Sequence, residues 1–169
     1  MTISEKIVTG ERADLVQTLR KHRGFLRFTV RGLTDEQAAQ RTTASQLCLG
    51  GLIKHVALTE GGWMRFAVGG AEAMEGEPVD WEGQFRMLDG ETLAGLLDTY
   101  EQVARKTDEL VSTLPDLDAS HPLPKAPWFE PGASWSVRRV VLHIIAETAQ
   151  HAGHADIIRE SLDGAKTMG

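Results

Sequence analysis

The stretch of sequence that decides the fold runs His143-Ile-Ile-Ala-Glu147-Thr-Ala-Gln-His151-Ala-Gly-His154. On an α-helix each residue turns by about 100°, so these four ionisable side chains share one narrow stripe. Three aliphatic residues share it too, which predicts that the stripe faces the core: Val140, Ile144 and Ile158. Carboxylates and imidazoles in an apolar interior are costly unless they are paired or coordinated. The stripe therefore predicts a bound divalent metal ion.

Around this stretch, four long segments show the apolar spacing of amphipathic helices. They are Glu11 to about Arg31, a segment that follows Gly50-Gly51 or starts a few residues before this pair and runs to near Gly69-Gly70, Glu91 to about Leu114, and Ser134 or Ser136 to about Leu162. Thr34-Asp-Glu-Gln37 has the form of a capping box that opens a brief extra helix. Because no alternating pattern indicates a sheet, the sequence predicts an all-α four-helix bundle with two long connections.

The two connections differ in composition. Residues 71–90 contain glycines, acidic residues, Trp81 and Phe85 without periodicity, which predicts a loop that is packed by its own aromatics and covers a pocket. Residues 116–133 contain four prolines, which exclude a helix interior and a central strand and predict an extended crossover. The four tryptophans of the chain are interpreted as packing residues.

Composition narrows the functional class. The length of 169 residues fits one domain, 1–169. A net charge of −6 without a basic patch argues against a nucleic-acid partner. Cys48 is the single cysteine, which excludes an intrachain disulfide and fits a reducing compartment. With no apolar run long enough for a membrane span and no signal-peptide pattern at the N-terminus, we expect a cytoplasmic protein without a membrane partner.

A facing helix has to supply a further ligand for the predicted metal. His55 lies on the inward row of the second long helix, and Glu147 and His151 are four residues apart on the fourth. The set His55, Glu147 and His151 leaves coordination positions open, which is typical of a catalytic zinc site, although nickel, manganese or iron also suit it. His154 is then a fourth ligand, an outer hydrogen-bond donor or a general base, and His143 is expected to hydrogen-bond to Glu147.

These residues resemble the DinB-like superfamily of metal-binding four-helix bundles, which includes the mycothiol-dependent maleylpyruvate isomerase and the bacillithiol transferases. The resemblance rests on Gly-Leu-Thr-Asp-Glu after the first helix, on Leu52-Ile-Lys-His55 and on His151-Ala-Gly-His154. Typical members end in His-x-x-x-His-x-Gly-Gln. In this chain Glu147 replaces the first of those histidines, as in the isomerase, and His154 replaces the glutamine.

The resemblance implies a homodimeric enzyme that binds a small-molecule substrate and works with a low-molecular-weight thiol such as mycothiol. A metal at His55, Glu147 and His151 would lower the pKa of the thiol, and the thiolate would attack an electrophile, giving transfer or isomerisation. His154 is predicted to transfer a proton. The alternatives are a hydrolase that uses metal-bound water and a non-catalytic stress protein that binds metal or small molecules.

Overall fold

The fold is described from a computed structural model over residues 10–75 and 80–167. Its elements, in chain order, are α1 (Glu11–Phe28), α2 (Asp35–Ala39), α3 (Leu49–Gly69), α4 (Ala71–Met74), the 3₁₀-helix η1 (Gly83–Phe85), α5 (Leu93–Thr113), β1 (Ser120–Pro122), β2 (Ser134–Ser136) and α6 (Val137–Asp163). Helices α1 and α3 each pack against both α5 and α6. This arrangement is a four-helix bundle, with α1 and α3 on one diagonal, and it confirms the predicted all-α fold.

The helix ends follow local hydrogen bonding. Thr34 accepts a hydrogen bond from the backbone of Gln37, whose side chain accepts one from the Thr34 N–H, so the predicted capping box is confirmed. The α6 helix is capped by Ser136, which accepts from the Arg139 N–H. Helix α3 begins at Leu49 and therefore includes the Gly50-Gly51 pair in its first turn.

The connections contain more regular structure than the sequence predicts. Residues 71–90 form α4 and η1 within their described part, while Pro78 lies outside the described residues. The prediction of no sheet is wrong in one detail, because β1 and β2 pair antiparallel across the proline-rich crossover. Each strand has three residues and one neighbour, so a proline at the end of β1 is tolerated.

The core of the bundle consists of two hydrophobic clusters, one toward each end. The first contains buried residues of four helices, including Leu19, Phe66, Val111 and Val140. The second contains another buried set from the same helices, including Leu26, Leu52, Tyr100 and Ala155. On each helix the residues of the two clusters occupy separate parts of the sequence. A layer of residues that belong to neither cluster therefore lies between them.

That intermediate layer is polar and centres on an ion pair across the diagonal of the bundle. The Arg23 guanidinium of α1 donates to both carboxylate oxygens of Glu60 of α3, at 3.1 and 2.5 Å, and also to Asp108 at 2.8 Å. The side chains of Arg23 and Glu60 are 5% and 0% exposed. Burial lowers the pKa of Arg23, but its hydrogen bonds to Glu60 and Asp108 outweigh this effect and leave the pKa raised.

We expect the substitution Glu60→Gln to reduce the free energy of unfolding by about 3 kcal/mol, because it leaves a buried guanidinium without its main counter-charge. Urea denaturation followed by circular dichroism measures the loss. The matched control is Glu109→Gln, which breaks an ion pair between exposed side chains of Lys106 and Glu109 and should change stability little. A Glu60→Gln variant as stable as the control would contradict a structural role for this layer.

A close backbone contact positions η1 on the first turn of α3. A Cβ atom at Gly51 would lie 1.9 Å from the carbonyl oxygen of Phe85. Real Cβ contacts cannot be this short, so the absence of a side chain at Gly51 allows the η1 segment to lie directly against α3. This contact determines where the residues of η1 point.

For this reason, Gly51→Ala is expected to displace η1 and to destabilise the protein by about 1–3 kcal/mol. Gly24→Ala is the matched control, since Gly24 is an exposed residue of α1 whose added Cβ meets nothing within 4 Å. That control should raise stability by about 0.5–1 kcal/mol. Denaturation of both variants side by side tests the contact, and equal stability gains in the two would refute it.

Candidate metal centre

The structure brings His55, Glu147 and His151 together in the groove between α3 and α6. Each residue offers one ligand atom, and the three atoms lie within 4.8 Å of one another. Glu147 Oε2 lies 4.0 Å from His55 Nε2 and 3.5 Å from His151 Nε2. The position of His151 four residues after Glu147 on α6 places both on one helix face, and the packing of α3 against α6 adds His55.

The electrostatics of the cluster favour the metal-binding forms of His55 and Glu147. Burial lowers the pKa of His55, against a smaller raising effect of its hydrogen bond with Gln84. The hydrogen bond with His151 lowers the pKa of Glu147, although burial acts in the opposite direction. A neutral imidazole and an ionised carboxylate are the species that bind a metal ion. These two groups therefore need no proton release near neutral pH before they can coordinate.

The donor set fits a divalent ion. In a tetrahedral zinc site with bonds of about 2.0–2.1 Å, ligand atoms are about 3.4 Å apart, so small side-chain rotations suffice to close the cluster. The stripe lies at the edge of the core and not inside it, because Glu147 keeps 29% of its side chain exposed whereas the histidines keep 12% and 13%. The predicted inward orientation thus needs correction, and the exposure gives a small molecule access to the cluster.

Two residues of the η1 segment hold the ring of His55. Gln84 Oε1 lies 3.0 Å from His55 Nδ1, and Phe85 stacks on the imidazole with ring centroids 4.1 Å apart. An amide oxygen only accepts hydrogen bonds, so Nδ1 carries the proton and Nε2 is left free to face Glu147. The sequence gives no indication of either contact, since residues 71–90 show no periodicity that would orient their side chains.

His154 lies behind His151 and not among the three ligand atoms. Its Nδ1 is 3.3 Å from Nδ1 of His151, on the opposite side of the His151 ring from Glu147. When His151 donates through Nδ1, its Nε2 is free to bind a metal ion, so both histidines of the cluster are oriented by an outer partner. The catalytic role of His154 stays a prediction.

His143 borders the cluster one helical turn before Glu147. Its Nε2 lies 3.9 Å from Glu147 Oε1, which is too long for the predicted hydrogen bond. The ring instead packs among aromatic side chains, with centroids 4.9 Å from Trp63 and 5.0 Å from Trp135. Burial lowers the pKa of His143. The aromatic surroundings therefore hold a neutral imidazole beside the carboxylate.

Comparison with known proteins agrees with this geometry. A sequence model of the mycothiol-S-transferase family matches residues 14–164. The chain belongs to the mycothiol-S-transferase family. The resemblance to the DinB-like superfamily is thereby confirmed, and the family match spans every described helix with the exception of the first residues of α1.

The chain also shares its fold with a solved structure. The crystal structure of a conserved protein from Enterococcus faecalis superposes with a TM-score of 0.70 over 93% of this chain and 99% of that chain. The sequences are 14% identical, so this likeness shows the fold alone. No match was found among curated protein sequences. Within residues 10–75 and 80–167, no helix has the length and hydropathy needed to cross a membrane.

The orientation of His55 by Gln84 can be tested through metal affinity. We expect Gln84→Leu to weaken zinc binding by about 10–100-fold, because removing an outer hydrogen bond frees the imidazole to rotate and to change tautomer. Competition with a chromogenic chelator measures the affinity. Gln46→Leu serves as the control, since Gln46 bonds to the exposed Arg41. Equal zinc affinity in the two variants would rule out the positioning role.

Proposed function

We propose that this protein is a metal-dependent transferase that joins the sulfur of mycothiol to a small electrophile. The observation that supports it most directly is the His55–Glu147–His151 cluster in a chain of the mycothiol-S-transferase family. A zinc ion is the proposed metal, and nickel, manganese and iron suit the same donors. The homodimeric state, the single-domain organisation and the cytoplasmic location stay predictions.

In this proposal the three residues of the cluster would hold the metal, and the partly exposed side chain of Glu147 would leave it accessible to a small molecule. A bound divalent ion lowers the pKa of a coordinating thiol, so that the thiolate is present at neutral pH. Gln84 and Phe85 hold His55 in place, and His154 supports His151. Trp63 and Trp135 pack against His143, whose imidazole borders Glu147.

His154 is the proposed proton-transfer residue. An imidazole titrates near neutral pH and can take up the thiol proton or pass it to solvent. The distance of 3.3 Å between Nδ1 of His154 and Nδ1 of His151 supports this proposal, since it keeps His154 within hydrogen-bond reach of a cluster residue. This position supports two separate contributions, which are orientation of His151 and movement of a proton.

The proposal predicts stoichiometric metal in purified protein and conjugation of mycothiol to a small electrophile such as 2-chloroacetamide. His151→Ala should lose both the metal and at least about 99% of the rate, because two remaining ligands bind the ion weakly. Elemental analysis and mass spectrometry of the conjugate measure these quantities. His121→Ala is the control, since His121 lies on β1 and packs against Phe66.

His154→Gln separates the two contributions of His154, because glutamine keeps a hydrogen-bonding group but does not titrate. Retention of metal with a clearly reduced kcat would support proton transfer, and an unchanged kcat would exclude it. Full conjugation by His151→Ala would overturn the proposed site. Hydrolysis of ester or amide substrates without thiol would indicate metal-bound water as the nucleophile instead.

A further inference from the structure

Two tryptophans are exposed to an extent that packing does not explain. Trp81 and Trp128 are 66% and 68% exposed. Their rings meet edge to face, with centroids 6.5 Å apart. They come from two different connections of the bundle, 47 positions apart in sequence. The interpretation of all four tryptophans as packing residues therefore fails for this pair, whereas Trp63 is 7% exposed and belongs to the core.

The exposed pair is linked by contacts to both ends of the candidate metal centre. On one side the carbonyl of Trp81 accepts from Gln84 Nε2 at 3.4 Å, and Gln84 contacts His55. On the other side Trp128 contacts Phe129 at 6.1 Å between centroids, and Phe129 contacts Trp63 at 6.1 Å. We call Trp81, Trp128 and Phe129 the aromatic arch.

Contacts lead from the arch to both ends of the groove between α3 and α6 that contains Glu147. Two contacts cross this groove, His55 with His151 and Trp63 with His143. On each helix the two contacting residues are eight positions apart, which corresponds to about 12 Å at 1.5 Å per residue. Glu147 lies midway between His143 and His151 on α6. The contacts therefore form a closed circuit of side chains, and the carboxylate of Glu147 lies between the two ends of that circuit, 4.0 Å from His55 Nε2 and 3.9 Å from His143 Nε2.

Exposed aromatic rings beside the metal-binding cluster favour the binding of a flat, apolar molecule. Aromatic rings attract one another in stacked and edge-to-face arrangements, and this adds to the burial of their area. Trp81 and Trp128 offer uncovered rings for such contacts, while Trp135 is already covered by Trp63 and by the Arg139 guanidinium. Through the contacts above, the uncovered rings are joined to the residues on either side of Glu147, whose side chain is 29% exposed.

We propose that the aromatic arch is the binding site for the electrophile and that it selects planar aromatic electrophiles. This inference rests on the proposed thiol-transfer function and names its substrate class. With 1-chloro-2,4-dinitrobenzene as the electrophile, the thiolate sulfur bonds to the ring carbon that carries chlorine. The carbon–chlorine bond breaks, chloride leaves with the electron pair, and the thiol proton goes to solvent.

The experiment compares an aromatic with an aliphatic electrophile in the metal-loaded, full-length protein. We expect Trp128→Ala to raise the KM for 1-chloro-2,4-dinitrobenzene about fivefold and to raise the KM for 2-chloroacetamide less than twofold. Trp128→Phe should recover most of the affinity for the aromatic electrophile. The matched control is Phe28→Ala, which removes an exposed aromatic side chain at the end of α1 and should alter neither KM.

A second measurement does not depend on turnover. The unreactive 1,3-dinitrobenzene is titrated into the protein and followed by NMR, with an expected loss of affinity of about fivefold in Trp128→Ala. If no conjugation occurs but this binding depends on Trp128, the binding site is supported and the proposed transferase function is wrong. Equal binding by wild type and Trp128→Ala overturns the site. A change of oligomeric state in Trp128→Ala without any effect on 1,3-dinitrobenzene would assign the exposed pair to a contact between copies and overturns it as well.

Discussion

The ion pair between Arg23 and Glu60 lies across the diagonal of the bundle, and the hydrophobic clusters lie on either side of it. A buried charge pair is costly to desolvate, and it is stable only when its geometry is satisfied. It therefore constrains the register of α1 against α3, two helices whose main packing partners are α5 and α6. Tyr100 of α5 is buried nearby, and this burial raises the pKa of its hydroxyl, which the charge of Glu60 raises further. The polar layer around this ion pair defines which residues of each helix face the interior midway between the two hydrophobic clusters.

The candidate metal centre depends on this register. Glu60 and His55 lie on α3 little more than one turn apart, so a helix whose Glu60 is held on the bundle axis presents His55 at the groove with α6. The same constraint holds Trp63 against His143 at the other end of the groove. The site is thus built from a rigid helix pair, and its outer contacts come from the η1 segment and the crossover. The rigid pair of helices maintains the positions of the metal-binding side chains, while the connections determine which small molecules reach them.

The helical architecture is largely predictable from sequence, because the spacing of apolar residues depends on the helix repeat and caps depend on local hydrogen bonds. The four long helices and the capping box at Thr34 follow from such short-range rules. The end of α1, which lies at Phe28 and not near Arg31, and the small sheet do not follow from them. Strand pairing of Ser120–Pro122 with Ser134–Ser136 joins residues 12 to 16 positions apart, and no local pattern in three-residue strands indicates a partner.

By itself, the sequence determined the side chains that are able to bind a metal, because Glu147 and His151 share a helix face through their spacing and His55 lies on the inward row of its own helix. Only the tertiary structure decided how they are oriented and what surrounds them. Gln84 and Phe85 reach His55 from a connection without periodicity that lies against Gly51, and Phe129 reaches Trp63 from the proline-rich crossover. Their positions depend on the packing of distant segments, which no short stretch of sequence encodes.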